Sequence, residues 1–183
     1  MPADLVQLSI VLLIAGAAFA ALAAARRRWC AWGAFVFVLA ASIAAASAGI
    51  ISLTSGAQAA RELLVLPGIG ASLAFKVDSL SAVFLLIFSL IAVCSSLYAV
   101  RAMGDESRSG HLRFYPLLLL FFASVFGLVC SWDMLFFLVF WEFMTLASYA
   151  LVVYDGDDPV ARRAGLKYFI VTHTATACLI AGA

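Results

Sequence analysis

FYPLLLLFFASVFGLVCSWDMLFFLVFWEFMTLASYALVVY, residues 114–154, carries no basic side chain and only two carboxylates, Asp133 and Glu142. As a single helix its 41 residues would reach about 60 Å, roughly twice the thickness of a hydrocarbon core. The stretch must therefore fold back once. Ser131-Trp132-Asp133 supplies the break, because Asp133 can cap a following helix and Trp132 suits a membrane–water interface. Two spans result, at about 114–130, with Pro116 in the first turn, and 134–153.

Other runs follow the same reading. Residues 5–25 are apolar and are followed at once by Arg26, Arg27 and Arg28. A cleaved leader would place its positive charge before the apolar run, so this segment reads as a retained first span. A second span of about 29–53 is rich in Ala and Gly, which lets helices approach closely. Residues 54–77 are more polar and end in the partly alternating Ser72-Leu73-Ala74-Phe75-Lys76-Val77-Asp78, which suits a short surface hairpin. Asp78 and Ser79 can cap a third span, 80–100. After the acidic loop 155–158 and Pro159, a last apolar run covers 164–183.

The fold class expected is thus all-α, a polytopic membrane bundle of about six helices. Composition agrees, because 66% of residues are hydrophobic and 11% charged, against about 25% charged in a soluble domain. The basic residues also sort by side. Nine of the 11 (Arg26, Arg27, Arg28, Arg101, Arg108, Arg113, Arg162, Arg163, Lys167) follow the odd-numbered spans, and only Arg61 and Lys76 fall opposite. By the positive-inside rule this puts the N-terminus outside a cytoplasmic (inner) membrane. The final run ends without charge or interfacial aromatic, so residues 1–183 are expected to form one membrane domain, the N-terminal part of a longer subunit.

Several chemistries are excluded. Net charge is only +1, which removes an electrostatic case for nucleic acid. Four scattered cysteines form no metal or iron–sulfur spacing. Gly68-Ile69-Gly70 lacks the third glycine of a dinucleotide loop. No metal, cofactor or redox centre is expected.

Glu142 stands out. It lies nine residues past Asp133, about 13 Å along the helix and close to the bilayer midplane. An ionisable group there costs on the order of 2.5–3.5 kcal/mol to insert, and helix formation does not require it. Thr145 and Tyr149 share its face, with Ser148 beside them, forming a narrow polar stripe. A carboxyl in an apolar setting is a candidate for proton exchange, whereas a scaffold role would leave it bonding a neighbouring helix. His173, among Thr172, Thr174 and Thr176, is a second relay candidate or an interhelical hydrogen-bonding group. Lys167, a third candidate, can equally snorkel to the surface, and lies about 120° around the helix from His173.

The motif Trp132-Asp133-Met134 through Trp141-Glu142-Phe143-Met144 resembles the signature of antiporter-like membrane subunits of respiratory complex I, membrane-bound hydrogenases and multisubunit cation/proton antiporters. Asp78-Ser79-Leu80-Ser81 is similar to the Asp-Gly-Leu-Ser of that family. Arg162-Arg163-Ala-Gly-Leu-Lys167-Tyr-Phe with His173 leans toward the hydrogenase-4 component B and formate hydrogenlyase subunit 3 branch. The resemblance covers residues 73–183, and the first two spans by hydropathy alone. It implies a proton-translocating subunit driven by electron transfer in partner membrane and peripheral subunits. Glu142 would then pair with a lysine on a later helix, beyond residue 183. A subunit of a Na⁺/H⁺ antiporter and a structural scaffold are the alternatives.

Overall fold

The computed structural model describes residues 1–56, 60–68, 71–104, 108–154 and 158–182. Six helices and one hairpin follow in order: α1 (Pro2–Ala23), α2 (Arg27–Ser55), β1 (Arg61–Leu66), β2 (Ala71–Phe75), α3 (Ser79–Ala102), α4 (Arg108–Cys130), α5 (Met134–Val152) and α6 (Pro159–Gly182). All six helices are long and apolar enough to cross a membrane. The chain is a multi-pass membrane helix bundle, as its hydropathy requires. Residue 70, most of the acidic loop and residue 183 lie outside the described residues.

Helices α4 and α6 start before their apolar runs. Arg108 opens α4, so Pro116 falls inside that helix rather than in its first turn. Asp158 accepts from the Val160 N–H at 2.8 Å, and Pro159 occupies the first turn of α6, where its missing N–H costs nothing. Gly56 closes α2 at φ +62°, its N–H donating to the Ser52 carbonyl. That left-handed turn suits glycine.

Packing follows a repeat written in side-chain size. The buried positions of α1 and its end include Ala3, Val6, Ile10, Leu13, Ala17, Ala20 and Ala24. Those of α2 include Ala31, Ala34, Val38, Ala41, Ala45, Ala48 and Ser52, and those of α3 Ala82, Leu85, Ser89, Ala92, Ser96 and Ala99. Steps of three and four alternate throughout, the mark of near-antiparallel, left-handed seams. Small residues there let backbones approach closely. Helix α1 packs on α2 and α4, α2 on α3, α4 on α5, and α5 on α6.

Strand β1 pairs antiparallel with β2, with a bulge between Glu62 and Leu64. The turn between α4 and α5 joins this hairpin through an isolated antiparallel bridge, Ser131 opposite Phe75. Lys76 N–H donates to the Cys130 carbonyl at 2.9 Å, and Trp132 N–H to the Ala74 carbonyl at 3.0 Å. Lys76 Nζ sits 3.9 Å above the Trp132 ring, and Arg61 pairs with Asp4. The N-terminus, the hairpin and the α4–α5 turn therefore share one end of the bundle. At the other end Arg27, Arg28, Gly104 and His111 line one small cleft, so the charge alternation read from the sequence matches the packing.

Candidate functional site at the α5–α6 seam

Asp133 starts α5. Its Oδ1 accepts from the N–H groups of Leu135 (2.9 Å) and Phe136 (3.3 Å), while Oδ2 takes the Ser72 N–H at 3.3 Å. The carboxylate thus caps the helix and clamps it to the hairpin. Phe140 lies over Gly127 of α4, where a Cβ would come within 2.4 Å of the ring, and its ring meets Phe75 at 5.9 Å. Glu142, two residues on and so roughly 200° around the helix, faces the opposite way, toward α6.

There it meets His173. Glu142 Oε2 and His173 Nε2 are 3.2 Å apart, each side chain about one-third exposed within this chain (33% and 34%). The other imidazole nitrogen, Nδ1, lies 3.0 Å from the Phe169 carbonyl. A carbonyl only accepts, so the tautomer with hydrogen on Nδ1 satisfies this contact and leaves Nε2 facing the carboxyl. One proton between Oε2 and Nε2 then makes either a neutral acid–imidazole pair or a carboxylate–imidazolium pair. The two forms carry the same net charge. The imidazole stacks on Phe169 with centroids 3.9 Å apart, which fixes its plane.

Hydrogen bonds on either side of this pair set the register of the two helices. Trp141 Nε1–H donates to Thr176 Oγ1 at 3.0 Å, and Ser148 Oγ lies 2.6 Å from Tyr168 Oη. Near the start of α6, Gly165 admits Val153 and Tyr149, the former 2.4 Å from where a Cβ would stand. The hydroxyls of Thr145, Thr172 and Thr176 donate to carbonyls of their own helices, which leaves their lone pairs for partners from outside.

Of the residues singled out in the sequence, Glu142 and His173 come together. Thr145 is buried one turn away and bonds the Glu142 carbonyl rather than its carboxyl. Tyr149 packs on Phe169, at 5.3 Å between centroids. Lys167 is exposed and makes no ion pair among the described residues. Tyr168 and the Trp141–Thr176 bond escaped the sequence reading. Their signal was the recurrence of Tyr168, Thr172 and Thr176 at every fourth position, one face of a helix. His111 escaped it too, buried against Tyr115 near the start of α4, because it falls in a polar segment.

A membrane bundle with a half-buried acid–imidazole pair between two spans can be compared with known proteins. Residues 131–183 match the family described as NADH:quinone oxidoreductase/Mrp antiporter, transmembrane. Over α5, α6 and the turn before α5 the chain is thus similar to antiporter-like membrane subunits. Hydrogenase-4 component B of Escherichia coli is 31% identical over 110 residues, 60% of this chain and 16% of that protein. Chloroplastic NAD(P)H-quinone oxidoreductase subunit 5 of Chara vulgaris is 32% identical over 119 residues, 65% of this chain and 18% of that protein. A protein described as an antiporter subunit in Staphylococcus haemolyticus is 32% identical over 117 residues, 64% and 14% respectively. The chain thus spans less than a fifth of the length of these curated relatives. A chain of the membrane-bound sulfane sulfur reductase, an archaeal respiratory membrane complex, shares the fold with a TM-score of 0.80 at 20% identity, covering 97% of this chain and 36% of that one.

Proposed function

We propose that this chain is part of a proton-translocating, antiporter-like subunit of a hydrogenase-type or quinone-reducing oxidoreductase complex, and that Glu142 and His173 exchange the proton. The observation that carries this reading is the 3.2 Å contact of Oε2 with Nε2 while Nδ1 faces a carbonyl. A purely structural interhelical bond does not call for two groups that can both lose and gain a proton, and the Trp141–Thr176 bond already joins the helices. A charge arriving on one side of such a pair shifts its proton without changing the pair's own net charge. That is the behaviour required of a switch driven by neighbouring electrostatics.

Lys167 stands on another face of α6 and takes no part in the pair. The charge distribution supports an N-terminus outside the inner membrane, with the start of α6 at the cytoplasmic face. The relative described as an antiporter subunit favours a second reading, with Na⁺ exchanged for protons on the same scaffold. Partner membrane subunits follow from the family, whose members work within multisubunit complexes.

Glu142→Gln in the full-length protein within its membrane complex tests the reading, with proton translocation and assembly measured separately. Retained assembly with lost translocation is expected. Normal translocation with impaired assembly would return Glu142 to a scaffold role. Dependence of translocation on added Na⁺ would favour the antiporter reading over the first.

A further inference from the structure

Away from the α5–α6 seam, three adjacent cations, Arg26, Arg27 and Arg28, stand where α1 gives way to α2. All three side chains are exposed, and none makes an ion pair among the described residues. Arg26 is the N-cap of α2 and supplies no side-chain cap. The first helical hydrogen bond runs from the Cys30 N–H to the Arg26 carbonyl at 3.0 Å, so the N–H groups of Arg27, Arg28 and Trp29 precede the ladder. A helix start is the positive end of the helix dipole, where cations are unfavourable and anions are favoured. The first turn of α2 holds no acidic residue to offset them.

The surroundings are shaped as well as charged. A cleft of about 60 Å³ is bordered by Arg27, Arg28, Trp32, Gly104 and His111. It has room for about four waters, the scale of one phosphate group. His111 is buried with its ring against Tyr115, so that wall is packed rather than open. Arg28 and Trp32 also border a second hollow of about 320 Å³, which takes in Trp29. Trp29 and Arg26 in turn border a third, about 370 Å³, with Phe19, Leu22 and Ala23 of α1. Trp29 and Trp32 are 68% and 54% exposed, and indole rings gather at the headgroup level of a bilayer. Val36, Ile43 and Ile50 are exposed on the same face of α2, at seven-residue steps from Trp29. From Trp29 to Ile43 this apolar track runs about 21 Å, longer than one leaflet of a ~30 Å hydrocarbon core.

We propose that an anionic phospholipid docks where α1 meets α2, its phosphate in the Arg27–Arg28 cleft and its acyl chains on the Trp29–Ile43 track. Guanidinium groups pair with phosphate through two parallel N–H donors, and the backbone N–H groups of the helix start add donors of the same polarity. The hollows adjoin through shared residues, so one molecule with a charged head and apolar tails satisfies both cleft and track. An acidic segment of a water-soluble partner would use the arginines and leave the apolar track uncovered. The proposal is independent of the Glu142–His173 reading and of which face of the membrane this end of the bundle occupies.

Brominated acyl chains quench nearby indoles, so Trp29 and Trp32 serve as reporters. The full-length protein within its membrane complex, in detergent, is titrated with phosphatidylglycerol or phosphatidylcholine carrying dibrominated chains. Site quenching is the signal lost when Trp29→Phe and Trp32→Phe are introduced into the same background. Phosphatidylglycerol should reach half-quenching at a concentration roughly 25-fold below phosphatidylcholine, about fivefold for each of two arginines. Arg27→Gln with Arg28→Gln should remove that preference, whereas Arg162→Gln with Arg163→Gln, the same charge change elsewhere, should keep it. Arg27→Lys with Arg28→Lys keeps the charge without the paired donors and should lower the preference severalfold. Where the Gln pair does not assemble, the Lys pair decides, and an undiminished preference overturns the phosphate cleft. Equal quenching by the two lipids in the unaltered protein would overturn the proposal. So would equal losses from the two Gln pairs, which would reduce the effect to surface charge. Absence of quenching by either lipid would assign the surface to a covering protein segment, and displacement of the brominated phosphatidylglycerol by millimolar inorganic phosphate would make it a free-anion site. Either result overturns the lipid assignment.

Discussion

Gly165→Ala probes how closely α5 and α6 must approach. A Cβ at position 165 would stand 2.4 Å from Val153 Cγ1 and 3.2 Å from Tyr149 Cε2, where ordinary contact begins at 3.4 Å. Val153 is β-branched and has little rotamer freedom with which to yield. Helix α6 must then retreat by roughly 1 Å at this level, at a cost of about 1–3 kcal/mol. The Ser148–Tyr168 contact, now 2.6 Å, would open to roughly 3.6 Å, beyond hydrogen-bonding range. If α6 tilts about its far end, His173 moves less and Glu142 keeps its partner. Thermal unfolding of the purified full-length protein should therefore show Gly165→Ala destabilised by this amount. Val153→Ala removes the clashing methyl group, and the double variant should recover a coupling energy of about 1–2 kcal/mol. Strictly additive penalties, or wild-type stability in Gly165→Ala, would refute the close-approach argument.

The Trp141–Thr176 bond should appear in a cycle of Trp141→Phe and Thr176→Val as a coupling of about 0.6 kcal/mol, at most ~1.7, the range for polar bonds between membrane helices. Asp78 caps α3 through the Ser81 N–H at 2.7 Å, and that hydrogen bond is the main cause holding its carboxyl below the ordinary 3.8. A depressed folded value stabilises the protein above 3.8 and loses its effect as pH falls through that lower value. Asp78→Ala should cost about 0.5–2 kcal/mol near neutral pH, and the difference from wild type in unfolding midpoint should vanish in acid. For sidedness, Arg61→Cys and Arg113→Cys in a background without native cysteines should react with a membrane-impermeant maleimide from opposite faces, Arg61→Cys from outside. Labelling of both from one face would contradict the bundle topology.

Much of the fold was legible because a bilayer reduces the problem to run length and charge. The 114–154 stretch was too long for one span, and Asp133 marked the fold-back where it occurs. Alternation at residues 72–78 likewise signalled the hairpin. The three-and-four seams of α1, α2 and α3 were harder to read, since almost every residue in those helices is apolar and burial there depends on size. Ala82 and Leu90 are both hydrophobic, yet one is buried and the other exposed. At the site, Glu142 announced itself by its insertion cost, whereas its contact with His173 depends on the relative register of two helices. That register is set by Gly165, Trp141 and Tyr168, residues whose roles are defined only across the seam. Lys167 shows the reverse case, a conspicuous charge whose position around α6 keeps it from the pair.

The two halves of the pair are held unequally. Glu142 belongs to a helix whose start is tied by Asp133 to the hairpin and whose body is seated by Phe140 in the space above Gly127. Helix α4, in turn, packs on α1 and α2, the small-residue framework of the bundle. His173 belongs to α6, whose extensive contacts within this chain are with α5, through one glycine, two hydroxyl-centred bonds and the acid–imidazole contact itself. The acid is therefore mounted on the framework, and the imidazole on the more compliant element.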